Sequence, residues 1–194
     1  MGGEVTMFRY FQLVNNLAKT IIRDHAPKGG AALDATLGNG LDTTFLLEHY
    51  HKVYAFDIQE AAITPWLDKA PGRLMAIHDS HDKLRTYIDE PLDVAMYNLG
   101  FWPGSDRSVT TVPATTLPSL EAALDLLRPG GFLTVAVYQG RPRAKVEAEA
   151  VSQFLAVLDR RRFGVMQHRF HNFSVDAPML YVVEKNTPKA AGRG

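Results

Sequence analysis

The order of strand and helix patterns is the feature that most limits how this chain can fold. Short β-rich runs that end in small or acidic residues alternate with longer helical patterns, as is typical of stacked βα units around a mainly parallel sheet. The predicted strands are residues 31–36, 52–57, 73–78, 92–98, 132–138, 163–170 and 179–185. The predicted helices are residues 41–49, 60–69, 117–127 and 144–159, preceded by an amphipathic helix within residues 1–27.

The last two predicted strands break this alternation because no helix fits between them. Parallel neighbours need a crossover of about a dozen or more residues, whereas antiparallel neighbours can be joined by a short loop. The final pair is therefore predicted to be antiparallel. The whole chain is expected to form a seven-stranded α/β sheet with a reversed last strand and helices on both faces. A doubly wound sheet of this kind binds its ligand at the carboxyl ends of its strands.

Length and composition fit a single globular domain. The chain has 194 residues, of which 46% are hydrophobic and 22% charged, and this balance disfavours disorder. It contains no cysteine, which excludes disulfides, zinc ribbons, iron–sulfur clusters and thiol catalysis. Its 21 basic residues balance its 21 acidic ones, so a globally basic nucleic-acid binder is disfavoured.

No segment reads as a signal peptide or a membrane anchor. The longest apolar run, residues 132–138, is far shorter than the roughly 18 residues of a membrane helix. We therefore expect a soluble, cytoplasmic protein without a membrane partner, and a flexible tail at residues 186–194. The sequence leaves the oligomeric state undecided, so a homodimer stays open.

The strand at residues 31–36 runs into the turn Gly38-Asn39-Gly40 and then into a helix. Glycine lacks a Cβ and tolerates positive φ, so a ligand can approach this backbone closely. Asp57 follows about 20 residues later, where a carboxylate can bind a ribose diol. A plain tight βα turn is the alternative interpretation, because Gly-x-Gly alone is a weak signal.

Two features of this turn bear on the kind of cofactor. Thr43 occupies the position where a dinucleotide-binding turn would have its third glycine, and Asp42 would repel a pyrophosphate at the helix start. Asp34 and Asp42 suit a cationic ligand instead. S-adenosylmethionine, which carries a sulfonium and an ammonium group, is therefore favoured over a dinucleotide.

Two further clusters follow the next two strands. Ile58 is placed to pack on an adenine face and Gln59 to form a hydrogen bond, although Asp57 could instead cap a helix. His78, Asp79, Ser80 and His81 follow the third strand, where a loop around the adenine is expected. A metal site is disfavoured, since only two histidines there are obvious ligands and zinc sites usually have three or four.

The fourth cluster, residues 97–104, combines an amide with aromatic side chains at the end of the fourth strand. Asn98 and a backbone carbonyl can accept hydrogen bonds from a substrate amine, and Phe101 or Trp102 can stack on a base. This resembles the Asn-Pro-Pro-aromatic motif of amino-group methyltransferases, with Leu-Gly in place of Pro-Pro. An aromatic-rich core turn is the alternative.

In order along the chain, residues 34–43, 54–59, 78–81 and 98–104 resemble the serial motifs of the YtqB-type RNA methylases. The resemblance spans about residues 31–185. It implies a Rossmann-like class I fold that uses S-adenosylmethionine. The family includes an enzyme that methylates 5-aminomethyl-2-thiouridine at the tRNA wobble position, which implies the anticodon arm of tRNA as the substrate.

The motifs and the resemblance together assign roles to individual residues. The predicted cofactor contacts are Asp34, Thr36, Gly38, Asn39, Gly40, Asp42, Thr43, Asp57, Ile58, Gln59, Ser80 and His81. The predicted substrate contacts are Asn98, Leu99, Gly100, Phe101, Trp102, Pro103, Asp106, Tyr138, Arg141 and Arg143. Asn98 would orient the amine, and His81 or Asp106 would accept its proton.

The chain departs from the family pattern in two places. Gly140-Arg141-Pro142-Arg143 stands where the family usually has Gly-His-Pro and small residues, and Gly104-Ser105-Asp106-Arg107 replaces Gly-Gly-Asp-Lys. Both changes fall on the predicted substrate side, so they bear on the RNA target more than on the cofactor.

Residues 141–173 carry seven Lys or Arg residues against three acidic ones, a local net charge of +4. An RNA footprint and a solvated helix face both explain such a segment. The leading hypothesis is an N-methyltransferase acting on the tRNA wobble uridine. A methyltransferase for ribosomal RNA or a small amine, and a non-catalytic module that binds S-adenosylmethionine and RNA, are the alternatives.

Overall fold

The structure, a computed structural model, describes residues 11–69, 72–102 and 108–187. The predicted site residues Pro103 and Asp106 lie outside the described residues, as do the first ten residues and most of the predicted tail. The strands are β1 (Ala31–Asp34), β2 (Lys52–Asp57), β3 (Leu74–His78), β4 (Leu92–Asn98), β5 (Leu127–Val137), β6 (Phe163–Arg169) and β7 (Met179–Lys185).

These strands form one sheet in the order β3-β2-β1-β4-β5-β7-β6. The pairs among β1 to β5 are parallel, and β7 is antiparallel to both β5 and β6. The predicted sheet with a reversed last strand is confirmed. Because β6 runs in the same direction as β1 to β5, the carboxyl ends of six strands meet at one edge, called here the carboxyl edge.

Helices cover both faces of the sheet. They are α1 (Val14–His25), α2 (Leu41–His49), α3 (Glu60–Ile63), α4 (Leu84–Tyr87), α5 (Pro113–Leu126) and α6 (Pro142–Ala156). α1, α2 and α3 pack on one face, and α4, α5 and α6 on the other. Within the described ranges, no helix combines the length and apolar character needed to cross a bilayer.

Some predicted boundaries differ from the structure. The helix predicted at residues 60–69 is only one turn of α-helix continued by the 3-10 turn Thr64–Trp66, which contains Pro65. β5 begins five residues earlier than predicted. The first part of this strand needs glycine at position 131. A Cβ there would lie 2.9 Å from the carbonyl oxygen of Arg128 and 3.0 Å from that of Asp93, which is too close for a side chain. The short α4, preceded by the 3-10 turn His81–Lys83, was not predicted.

Asp34, the last residue of β1, ties this strand to α2. Its Oδ1 accepts a hydrogen bond from the Thr36 N–H at 3.1 Å, and its Oδ2 accepts one from the Thr43 hydroxyl at 2.7 Å. Asp34 and Thr43 are both fully buried. Burial, and secondarily the negative charge of Asp42, raises the pKa of Asp34 to about 7.

Gly40 begins α2 in a left-handed conformation with φ +71°. A Cβ at this position would lie 1.9 Å from Cζ2 of Trp66, in the 3-10 turn that follows α3. The indole of Trp66 is largely buried with Leu37 and Ile63. Gly40 is therefore required both by its backbone conformation and by the close approach of this ring.

We expect Gly40→Ala to lower the free energy of unfolding by about 2–4 kcal/mol, since overpacking adds to the cost of a positive φ. Gly29→Ala is the matched control, because Gly29 has φ +83° and a Cβ there would have no heavy atom within 4 Å beyond its chain neighbours. The control should lose about 1 kcal/mol. Urea unfolding of both variants measures the difference, and equal losses would contradict the role of Trp66.

We expect Asp34→Asn to change how stability depends on pH. The raised pKa means that the folded state holds the Asp34 proton more tightly than the unfolded state. The stability that this proton confers is complete below about pH 4 and is lost as the pH rises through about 7, by up to about 1.4 kcal/mol per pH unit. Urea unfolding from pH 4 to 8 should show the wild type losing stability relative to Asp34→Asn. Parallel pH profiles would refute this assignment.

Candidate functional site

The segments that follow β1, β2, β4 and β5 are joined by backbone hydrogen bonds at the carboxyl edge. The Ala35 N–H donates to the Met96 carbonyl at 2.9 Å, and the Leu37 N–H donates to the Phe56 carbonyl at 2.8 Å. The Leu99 N–H donates to the Ala136 carbonyl of β5, at 2.9 Å. The structure thus brings the first, second and fourth sequence motifs into one region.

Asp57 holds the glycine turn in place. Its Oδ2 accepts from the Gly38 N–H and its Oδ1 accepts from the Gln59 N–H, both at 2.9 Å. Gln59, not Asp57, is the residue at the N-cap position of α3, so the alternative interpretation of Asp57 as a helix cap is wrong. A carboxylate can accept more than two hydrogen bonds. Asp57 is only half-buried, and the exposed Ile58 stands beside it.

The turn carries less free negative charge than the sequence indicates. Asp42 is largely buried and pairs with Lys19 of α1 at 2.9 Å, and the same ammonium donates to the Leu41 carbonyl at 2.8 Å. Asp34 lies beneath the turn, bonded to the equally buried Thr43. These contacts correct the expectation that the carboxylates of Asp34 and Asp42 are both free to face a cationic ligand, and they bury the predicted cofactor residue Thr43. The hydrogen bond between Asp34 and Thr43 instead links the end of β1 to α2.

Lys19 is a site residue that the sequence did not reveal. It lies 23 positions before Asp42, on a helix that was interpreted only as an amphipathic layer. A second residue of this helix, Asn15, accepts a hydrogen bond from the Tyr138 hydroxyl at 3.2 Å. Tyr138, a predicted substrate residue, is therefore tied to α1 on one side of the site.

His81 is buried beneath the first motif, with 7% of its surface exposed. Its Nδ1 lies 3.0 Å from the Ala35 carbonyl oxygen, which can only accept, so Nδ1 is the protonated nitrogen and Nε2 carries a lone pair. Nε2 is buried and finds no hydrogen-bond partner in the part of the chain that the structure describes. Burial lowers the pKa of His81, so the ring is a neutral acceptor. Ser80 precedes it at the N-cap position of the 3-10 turn.

Thr36 connects the first motif to Asn98. The Thr36 hydroxyl oxygen accepts a hydrogen bond from the Asn98 N–H at 2.9 Å, while the Thr36 N–H donates to Asp34. Asn98, the last residue of β4, is half-buried. The side chain of Thr36 thus fixes the position of Asn98 next to the glycine turn.

Trp102 lies against the glycine turn. Its Nε1 donates to the Asn39 Oδ1 at 2.5 Å, and its Cδ1 would be 3.4 Å from a Cβ built on Gly38. The guanidinium of Arg141 lies over the ring of Phe101, 4.5 Å from its centroid. The aromatic side chains of the fourth motif therefore contact both the predicted cofactor turn and the start of α6.

Leu99 and Gly100 make contacts within the protein. Leu99 is 2% exposed and packs in the core, because side chains alternate between the two faces beyond the end of β4. The side chain of Leu99 therefore does not face the site, and the predicted contact with substrate is left to its backbone. Both backbone groups of Gly100 are bonded to Thr111.

The structure divides the basic segment 141–173 between two ends of the sheet. Arg141, Arg143 and Arg169 lie at the carboxyl edge, where α6 begins and β6 ends. Arg160, Arg161 and Arg162 follow α6 and precede β6, so they lie at the opposite edge. Only the basic residues near the two ends of this segment therefore lie where the predicted RNA substrate would bind.

Comparisons with known proteins agree with this geometry. A family model described as "Putative rRNA methylase" matches residues 53–184. The crystal structure of a "putative rRNA-methylase" from Clostridium thermocellum has a TM-score of 0.85 at 34% identity, and covers 90% of this chain and 98% of that chain. A "putative methyltransferase" from Streptococcus mutans, solved in complex with SAH, has a TM-score of 0.82 at 35% identity, and covers 90% and 99%.

A curated relative from Arabidopsis thaliana, the chloroplastic "tRNA (mnm(5)s(2)U34)-methyltransferase", is 37% identical over 145 residues. These residues are 66% of this chain and 53% of the relative, so the chain spans about half the length of that protein. The fold is that of class I S-adenosylmethionine-dependent methyltransferases. Because the family model matches well over half of the sequence, the chain belongs to the rRNA methylase family.

Proposed function

We propose that this protein is an S-adenosylmethionine-dependent N-methyltransferase that acts on tRNA. In this proposal it converts 5-aminomethyluridine or its 2-thio form at the wobble position to the 5-methylaminomethyl form. One observation carries the proposal. The hydrogen bond between Thr36 and Asn98 fixes the predicted amine-binding residue beside the predicted cofactor turn.

The residues at the carboxyl edge fit S-adenosylmethionine. Gly38 and Gly40 give the turn the positive φ angles that it needs, and the half-buried Asp57 can accept further hydrogen bonds from a ribose. The Nδ1–H of the buried His81 bonds the Ala35 carbonyl and so holds the segment that leads from β1 into the glycine turn. The related protein from Streptococcus mutans was solved with SAH, which supports the same cofactor here.

The chain's own residues must present an unprotonated amine in a fixed direction. S-adenosylmethionine supplies an electrophilic methyl group when bound. The Asn98 side chain can accept a hydrogen bond from the amine and so aim its lone pair, an effect of positioning rather than of acid–base chemistry. His81 is a neutral acceptor and a weak base, because burial lowers its pKa. Asp106 stays the second candidate for accepting the proton.

An aromatic and basic surface at the carboxyl edge supports RNA rather than a small amine as the substrate. The aromatic patch consists of Phe11, Phe170 and Phe173, whose ring centroids lie 4.9–5.3 Å apart. Phe173 is 51% exposed, and Arg169 precedes the patch at the end of β6. Exposed rings can stack on unpaired bases and arginines can contact phosphates.

Ribosomal RNA is a second candidate substrate, because the description of the matching family model names it. The tRNA proposal rests instead on the Arabidopsis relative, which is described by its tRNA activity. The two candidates predict different modified nucleosides. Mass spectrometry of separated RNA fractions can therefore distinguish them.

We expect tRNA from cells that lack this gene to accumulate 5-aminomethyluridines and to lose their methylated forms. The wild-type gene should restore methylation. Asn98→Ala should reduce kcat on aminomethyl-containing tRNA by about 100-fold, because the amine loses its orientation. Asn98→Asp keeps an acceptor and should retain more activity. The measurements are nucleoside mass spectrometry and methyl-transfer kinetics.

Each contrary outcome has a distinct meaning. An unchanged tRNA profile with a missing methyl group in ribosomal RNA would replace the first candidate by the second. Full activity of Asn98→Ala would remove Asn98 from the mechanism. Calorimetry that detects no binding of S-adenosylmethionine would overturn the methyltransferase proposal itself.

We expect Arg169→Ala to weaken tRNA binding and to reduce the slope of log K against log salt by about 1, the effect of losing one phosphate contact. Arg160→Ala is the matched control, since it removes an equal charge from the same basic segment at the opposite edge of the sheet. Binding titrations across a range of salt concentrations measure both. Equal effects of the two variants would show that this surface does not bind the RNA.

A further inference from the structure

A buried carboxylate on α6 has no part in the function proposed above. Glu147 is 3% exposed. Its Oε2 accepts a hydrogen bond from the Thr111 hydroxyl and its Oε1 accepts one from the Thr116 hydroxyl, both at 2.6 Å. Burial raises the pKa of Glu147, whereas the two hydroxyl donors favour its charged form. A carboxylate held in this way joins α6 to the start of α5.

Thr111 in turn holds Gly100 by both of its backbone groups. The Thr111 N–H donates to the Gly100 carbonyl at 3.0 Å, and the Thr111 hydroxyl oxygen accepts from the Gly100 N–H at 2.9 Å. Gly100 has φ +135°, a conformation that other residues rarely adopt. It stands between Asn98 and the aromatic side chains of Phe101 and Trp102.

The carboxylate determines which way the Thr111 hydroxyl points. A threonine hydroxyl has one hydrogen, and an ionised carboxylate can only accept. When Thr111 donates its hydrogen to Glu147, its lone pairs are left for the Gly100 N–H. An apolar residue in place of Glu147 could pack α5 against α6 without the cost of burying a charge, but it could not orient this hydroxyl.

We propose that Glu147 is a positioning residue that acts through Thr111 to fix Gly100, and with it Asn98 and Trp102, against the glycine turn. The kinetic part of this inference rests on the proposed function, since it assumes that Asn98 orients the substrate amine. The structural part, in which Glu147 and Thr111 hold Gly100 and the aromatic residues after it, does not depend on that function. Arg141, at the N-cap position of the same helix, also contacts this segment, because its guanidinium lies over the ring of Phe101.

Two isosteric variants separate positioning from simple stabilisation. Thr111→Val and Thr116→Val each remove one hydroxyl donor from the same carboxylate, but only Thr111 contacts Gly100. Thr111→Ser restores the hydroxyl and serves as the rescue variant. Glu147→Leu removes the acceptor of both threonines.

A spectroscopic measurement tests the structural part without any substrate. The chain has two tryptophans, Trp66 and Trp102, so the protein labelled with 5-fluorotryptophan should give two fluorine NMR signals, assigned with Trp102→Phe. We expect Thr111→Val and Glu147→Leu to shift or broaden the Trp102 signal and to leave the Trp66 signal unchanged. Thr116→Val and Thr111→Ser should resemble the wild type.

Methyl-transfer kinetics test the functional part. We expect Thr111→Val to lower kcat/KM for tRNA by about 10- to 100-fold. Thr116→Val should stay within a few-fold of the wild type, and Thr111→Ser should recover most of the activity. Adding Glu147→Leu to Thr111→Val should cause little further loss, because both changes break the same link.

The outcomes that overturn the inference are distinct from failure of the proposed function. An unchanged Trp102 signal in Thr111→Val, or the same change in Thr116→Val, would overturn it. So would fully additive kinetic losses in the double variant. If the wild type does not methylate tRNA, the proposed function fails, and the fluorine signals alone decide the role of Glu147.

Discussion

The arrangement of this site depends on the hydrogen bonds that the carboxylate of Asp34 accepts. This carboxylate is buried at the end of β1 and accepts hydrogen bonds from two directions, the Thr36 N–H and the Thr43 hydroxyl. Thr43 connects it to α2, and Thr36 connects it to Asn98 at the end of β4. A single side chain thus fixes both the glycine turn and the predicted amine-binding residue. Because this carboxylate is buried, water cannot replace either partner, and the loss of one bond would leave a buried polar group unpaired.

The structure also changes the meaning of the balanced charge. The sequence indicates an acidic turn and a basic segment as two separate ligand sites of opposite sign. In the fold, Lys19 of α1 already pairs with Asp42, and burial raises the pKa of Asp34. The negative charge at the turn is therefore mainly that of Asp57, whose carboxylate accepts from the Gly38 and Gln59 N–H groups. The basic segment is divided as well, and only its two ends reach the carboxyl edge. Charge selectivity at this site depends on a few placed groups rather than on a strong local field.

The strands and the reversed direction of β7 could be predicted because they follow from local patterns and one connection rule. Apolar runs marked the strands, and the short loop before β7 required it to be antiparallel. The contacts that complete the site could not be predicted in this way. Lys19 meets Asp42 and Glu147 meets Thr111 across 23 and 36 positions, and no periodicity links such pairs. The burial of the Leu99 side chain was not predicted, because a motif assigns a role to a segment, whereas alternation decides which of its side chains is buried.

The position of these missed contacts has a physical reason. A parallel sheet satisfies its backbone groups by ladder hydrogen bonds, and these end where the strands end. Beyond that point the chain needs other partners, and here carboxylates and hydroxyls supply them together with backbone groups of the neighbouring strands. Asp34 and Thr36 hold the segment after β1, Asp57 holds Gly38, and Glu147 with Thr111 holds Gly100. These hydrogen bonds fix the segments without filling all the space around them, so Asp57 and Asn98 stay only half-buried and Ile58 stays exposed at the same strand ends. Directional bonds can therefore hold a strand end in place and still leave polar groups accessible there, which a site built from apolar packing alone would not achieve.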